Sequence, residues 1–404
     1  MLDTMQDGHW VEVQWLEASK QRKAAWNADS GKSAPRKIII ADDTLSADSA
    51  FRLVSEGTSL LWRGDFQNAR HLIDALARRL EKKPRRSDIK KAATQAQTRA
   101  AAGVGEFPHA FHLHRQTQAQ RARVLGSVLI ELDTQWHCKL RRAPDWSQAC
   151  NEAWGKPAIV EHGLASVLVP LRDLIGALGA HEWRKKGLEL PVLNGQHIHA
   201  HYGVFSPVRG EYLDLVAKAP LPAAAKNGAW DIGVGTGVLT ALLLQRGVET
   251  VVATDLSDRA LACAGENLQR LNLTKRVQLL KTDLFAPGKA GLIVCNPPWL
   301  PGKATTWLEQ AVYDEDSRML RGYLAGLAEH LLPAGEGWLI LSDLAEHLQL
   351  RSRDQLLEWI KAAGLEVIEK LDTKPSHGKA FDAADPLFAA RSQEVTSLWR
   401  LRAL

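Results

Sequence analysis

From about residue 228 onward the chain alternates short apolar strands with helices, and this alternation restricts it to a parallel α/β sheet. AWDIG reads as a strand and GVLTALLLQRG as a helix stopped at Gly247. VETVVATD is a second strand, followed by the helix SDRALACAGENLQRLN with Ser257 as its N-cap. RVQLLKTD, GLIVCNPP and GWLILSD supply three more strands. The helix RDQLLEWIKAAG closes at Gly364, and LEVIEKLD and EVTSLWRLR then add a final pair suited to an antiparallel edge. The pattern predicts a seven-stranded sheet over the C-terminal half.

The loop after the first strand is Asp231-Ile232-Gly233-Val234-Gly235-Thr236-Gly237. Its glycines allow a tight turn and leave room for a ligand at the N-terminus of the next helix. Such a loop alone also suits a dinucleotide. The second strand ends in Asp255, about 20 residues further on, where a carboxylate can accept from both ribose hydroxyls. The third strand ends in Asp283, placed to hydrogen-bond a purine amino group. Dinucleotide-binding folds share the ribose acid, but they do not predict the motif at the end of the fourth strand, Asn296-Pro297-Pro298-Trp299.

With that motif the chain resembles class I methyltransferases of the NPPY type. These include HemK-like glutamine methyltransferases, amino-methylating DNA and RNA enzymes, and the methyltransferase small domain group. The resemblance covers roughly residues 200 to 404 and runs through GVFSPVRGEY, the glycine loop, KTDLF and CNPPWLP in order. It implies an α/β fold: a seven-stranded Rossmann-like class I methyltransferase sheet, preceded here by a mostly helical, mixed α/β N-terminal domain. The cofactor implied is S-adenosylmethionine (SAM), bound by Asp231, Gly233, Gly235, Gly237, Asp255, Leu256, Asp283, Leu284 and Asn296. The catalytic residues implied are Asn296, Pro297 and Trp299, with Pro298, Trp299, Tyr202, Phe205 and Arg209 on the substrate side.

The chemistry explains the motif. An exocyclic amine or amide nitrogen is a poor nucleophile because its lone pair is delocalised. In the resembling family the Asn oxygen and the first Pro carbonyl accept its two hydrogens and favour a pyramidal geometry. Two prolines stiffen the loop by fixing φ. Trp299 stands where Tyr or Phe is commoner and offers a wide face for stacking. Further substrate contacts are expected from Tyr313, Asp314 and Arg318 after the motif and from Lys379 or Phe381 before the last strand.

The first half carries no nameable motif. Residues 1–190 are expected to form a substrate-recognition domain and 191–404 the methyltransferase domain. AFRLVSEGTSLLW, FQNARHLIDALARRL and QTQAQRARVLGSVL have helical spacing, LIELDTQWHCKLRR suggests one or two strands, and residues 147 to 186 read as helical again. RRLEKKPRRSDIKK, between Arg78 and Lys91, has eight basic residues against two acidic and attracts phosphates or acidic partners; a solvated surface explains it equally well. Together with the net charge of +5 it favours a base in RNA as acceptor. A protein glutamine is the alternative, and a non-catalytic SAM-binding scaffold a third reading. The alternating histidines His197, His199 and His201 share one face on a strand, but methyl transfer needs no metal and none is expected. The four scattered cysteines, the absence of a signal-like N-terminus and of any apolar run near the roughly 18 residues of a membrane span predict a cytoplasmic protein.

Overall fold

The computed structural model describes residues 11–28, 32–81, 106–157, 163–208, 210–375 and 387–404. The chain divides into two compact units, one of Met1–Glu106 and His112–Glu182, the other of Phe107–Phe111 and Trp183–Leu404.

The first unit is built on a six-stranded mixed sheet. β1 (Val11–Glu17) and β2 (Lys20–Trp26) form an antiparallel hairpin whose turn, Ala18 and Ser19, has positive φ at both positions. β3 (Ile38–Ala41), β4 (Ser59–Trp62) and β5 (Val128–Asp133) run parallel to one another, and β6 (Ser166–Pro170) pairs antiparallel with β5 and parallel with β2. The helices Ala47–Ser55 and Phe66–Leu80 begin at Ser46 and Asp65, whose side chains accept from Ser49 and Gln67 backbone N–H groups. Leu60, Trp62, Val128, Ile130, Val167 and Val169 bury one face of the sheet with Leu72 and Leu76. Two stretches with helical spacing therefore contain strands: SLLW is β4 and SVLVP is β6. A buried run of four or five apolar residues carries no periodicity that separates strand from helix.

The second unit opens with the short antiparallel pair β7 (Leu188–Leu190) and β8 (Gln196–Ile198). Its main sheet comprises β9 (Ala229–Ile232), β10 (Val251–Asp255), β11 (Val277–Lys281), β12 (Ala290–Cys295), β15 (Leu331–Ser342), β16 (Leu365–Thr373) and β17 (Thr396–Ala403). Two minor strands, β13 (Leu300–Pro301) and β14 (Tyr313–Asp314), pair parallel beside it. The order across the sheet is β11-β10-β9-β12-β15-β17-β16, with β17 antiparallel to both its neighbours. All seven strands lie where the alternation placed them, and the antiparallel edge is the expected final pair. Alternate residues serve opposite faces: Val294, Trp338, Ile340 and Leu398 pack into one core layer, Ile293, Cys295, Leu339 and Leu341 into the other. β9 and β12 are adjacent in register, Val294 opposite Asp231 and Cys295 opposite Ile232, so their C-terminal loops leave the same end of the sheet side by side. In open α/β sheets that end is where ligands bind. No helix among the described residues is long and apolar enough to cross a membrane.

Candidate active site

The glycine loop is held from two sides. Gly233 and Val234 N–H groups both donate to Thr254 O at 2.9 Å, and the Gly235 N–H donates to Asp255 Oδ2 at 3.2 Å. Gly233, Gly235 and Gly237 have φ of 79°, 52° and 80°, a region that a Cβ penalises. At Gly237 a side chain would also lie 3.3 Å from Ala264, so the glycine lets the loop settle on the helix Asp258–Arg270. That helix contributes Asn267, which is buried and donates from Nδ2 to Thr236 O and His199 O while accepting from the His199 N–H. Nothing in the helical spacing around Asn267 marks it as a loop anchor.

Asp231 is fully buried at the end of β9. Its Oδ2 accepts from the Thr240 N–H and hydroxyl at 3.0 and 2.6 Å, but Oδ1 is buried with no hydrogen-bond partner. Burial pushes the carboxyl up to about 6; the Thr240 bonds oppose the shift and the nearby Asp255 charge adds to it. Asp255 is itself raised by burial, against the N–H groups of Ser257, Gly235 and Leu256. Its Oδ1 accepts from Ser257 N at 2.9 Å, and Leu256 beside it is exposed. Asp283 comes just after β11 and is half exposed, paired with Arg318, whose Nη1 and Nη2 donate to its two oxygens at 2.9 and 3.3 Å. Leu284 takes a positive φ of 65°, its carbonyl accepting from the Thr254 hydroxyl at 2.6 Å. Its side chain fits against the helix Arg318–His330 at Gly322, where a Cβ would come within 2.6 Å.

Beyond β12, Pro297 is buried and Asn296, Pro298 and Trp299 are half-buried. Trp299 Nε1 donates to Asn296 Oδ1 at 2.9 Å. The chain is then pinned by β13 on β14, with Leu300 N–H donating to Val312 O and Gly302 N–H to Asp314 O. Asp314 is buried and accepts from the Met319 and Leu320 N–H groups, tying this segment to the start of the helix Arg318–His330; burial raises its pKa. Tyr212, not singled out by the sequence, is buried beside this cluster. Burial raises its phenol first, the Asp231 and Glu211 charges add to that, and the Asn296 side chain acts in the opposite sense.

Tyr202 is tied to the helix Asp258–Arg270: its carbonyl accepts from Arg259 Nη1 at 3.0 Å, and the guanidinium stands 5.8 Å from its ring and 6.0 Å from that of Trp307. The segment before the first strand is thus joined to the one after the proline motif, through residues the motifs do not mark. Phe205 is 38% exposed. Arg209, Lys379 and Phe381 fall outside the described residues, as does most of the basic run. His199 Nδ1 is engaged with Arg184 O and His201 Nε2 with Glu266, His197 is exposed, and among the described residues no group of three or more His, Cys, Asp or Glu is placed to hold a metal.

Residues 195–342 match the family model of the Methyltransferase small domain. Over that stretch the second unit is similar to class I methyltransferase domains of that family. Over 110 residues the chain is 36% identical to a release factor glutamine methyltransferase of Cereibacter sphaeroides, covering 26% of this chain and 36% of that protein. It is 38% identical over 117 residues to the enzyme of the same description from Moorella thermoacetica, covering 27% and 41%. A tRNA1(Val) (adenine(37)-N6)-methyltransferase of Shewanella sp. is 35% identical over 100 residues, covering 23% and 42%. The alignments span less than half the length of these relatives. SAM is the methyl donor of the family, and this chain's residues fit it. The orphaned Asp231 Oδ1 is a buried acceptor turned to no protein donor, as a cationic ammonium requires, and both Asp255 oxygens keep a free lone pair for hydroxyls.

Proposed function

We infer that the chain transfers a methyl group from SAM to a planar exocyclic amino or amide nitrogen, and that this nitrogen belongs to a base in RNA. The observation that carries the reading is the register of β12 on β9, which sets Asn296 beside the glycine loop at one end of the sheet. Methyl donor and acceptor amide then share one small volume, and alignment of two reactants is the main work of an in-line displacement.

Bound SAM supplies an electrophilic methyl on a sulfonium. Asp231 and the loop Gly233, Gly235 and Gly237 would hold its amino-acid end and Asp255 its ribose hydroxyls, with Leu256 against the base and Asp283 and Leu284 at the amino edge. Arg318 donates once to each Asp283 oxygen and leaves each a further lone pair for that contact. Asn296 Oδ1 and the Pro297 carbonyl accept the acceptor's two hydrogens, and Pro298 and Trp299 wall the pocket. The nitrogen's proton becomes acidic once the new bond forms and passes to water, so no charged base is needed.

Similarity to a tRNA adenine-N6 methyltransferase and the basic balance of the chain support RNA. Residues 1–190 then serve substrate recognition, Tyr202, Phe205 and Arg209 the mouth of the site, and the free cysteines suit the cytoplasm. Similarity to release factor methyltransferases supports the second reading, a protein glutamine amide. Labelling with tritiated SAM separates them: extract of a strain lacking the gene is treated with the full chain and split into RNA, DNA, protein and small molecules. Label in RNA, lost with Asn296→Ala while SAM binding persists, is the expected result. Label confined to protein overturns the RNA assignment, and full turnover by Asn296→Ala removes Asn296 from catalysis.

A further inference from the structure

An amide side chain has two ends of similar shape and opposite hydrogen-bonding sense, and which end faces the acceptor decides whether Asn296 can hold an amine. Only its oxygen accepts an N–H. Trp299 Nε1 lies 2.9 Å from Asn296 Oδ1, and an indole nitrogen is a donor only. Turning the amide over would set its N–H group against the indole N–H, two donors face to face. The oxygen has two lone pairs; the indole occupies one and leaves the other for the acceptor. The indole is in turn held in place: Trp299 is half-buried and packs against both core layers of the sheet.

The geometry points to Trp299 as a positioning residue that locks the flip and rotamer of Asn296, so that the amide oxygen always meets the acceptor nitrogen. This rests on the N-methyl transfer reading above. A Phe at this position has no N–H, and a Tyr hydroxyl donates and accepts alike, so neither distinguishes the two ends of the amide. Trp299 here is a hydrogen-bond gate more than a stacking platform.

Two measurements on the full chain test the lock. In the first, without acceptor, indole ¹⁵N–¹H resonances are recorded and the Trp299 signal is identified by its loss in Trp299→Phe. Its N–H should be protected from solvent exchange in the wild type, with exchange rising about tenfold in Asn296→Ala. Exchange indifferent to Asn296→Ala overturns the lock. In the second, initial rates are measured with unmodified total RNA, and in parallel total protein, from a strain lacking the gene. Trp299→Phe should lower kcat about tenfold while KM and the dissociation constant for SAM stay within about twofold. A raised KM at unchanged kcat shows a stacking contact instead and overturns the lock. Should the wild type label neither fraction, the methyl-transfer reading fails, and the exchange measurement still decides the lock.

Discussion

Asp231 shows how a ligand site draws on the stability of the fold. Its folded-state pKa of about 6 stands above the ordinary 3.8, so the native state holds its proton more tightly than the unfolded chain. The contribution to stability is therefore full below about pH 4 and is lost as pH rises to about 6; the whole shift corresponds to about 3 kcal/mol. Asp231→Asn removes the buried charge and should raise stability on the order of 1–3 kcal/mol, seen as a higher Tm at about pH 7.5. The same variant should bind SAM more weakly, because the anion facing the ammonium is gone, and wild-type affinity should fall below about pH 6 as the carboxyl protonates. A variant that is less stable and binds SAM as well as the wild type would remove Asp231 from the cofactor site. Asp255→Ala should also weaken SAM binding in calorimetry, by about tenfold or more, since each lost hydrogen bond to a charged group is worth about 1.5–3 kcal/mol.

At the scale of elements, the helix Arg318–His330 ties the two halves of the site together. Asp314 caps its start, and Leu284 fits its surface at Gly322. Asp314→Ala leaves two N–H groups without their acceptor and should cost about 1–2 kcal/mol in denaturant unfolding. It should also lower kcat, because β14 no longer anchors β13 immediately after Trp299. Equal stability in that variant would contradict the capping role. The strands of this unit were legible in the sequence because glycine, proline and aspartate punctuate each one, as at Gly247, Asp255 and Pro297. In the first unit β4 and β6 are buried apolar runs of four or five residues set between helices, and they read as helix because so short a run shows no period of its own. Within the site, the glycine loop and Asn296 to Trp299 were legible because their residues are contiguous. Tyr212, Asn267, Arg259 and the pairing of Asp283 with Arg318 were not, since each depends on segments brought together only by folding.

At the scale of the whole molecule, the chain order and the spatial order differ at one place. Phe107–Phe111 groups with the second unit although its sequence neighbours on both sides belong to the first. Phe111 is 4% exposed and packs with Leu300, Ala345, Leu348 and Leu387, its ring 6.3 Å from that of Tyr313. Phe111→Ala should cost about 3–5 kcal/mol, and a fragment beginning at residue 183 should lose a comparable amount. Because Leu300 is bonded directly to Trp299, the loss should reach methyl transfer as well. A Phe111→Ala chain as stable as the wild type would contradict this role for Phe111.

If Asn296 and its neighbours present a planar nitrogen to the methyl donor, the identity of the methylated atom shows it. Acceptor labelled by the full chain with SAM bearing a ¹³C methyl, digested to nucleosides or amino acids and resolved by mass and nuclear magnetic resonance, should carry the label on an exocyclic amino nitrogen of a base. The label should vanish with Asn296→Ala. A methyl found on carbon, on oxygen or on a ring nitrogen would exclude this role for Asn296.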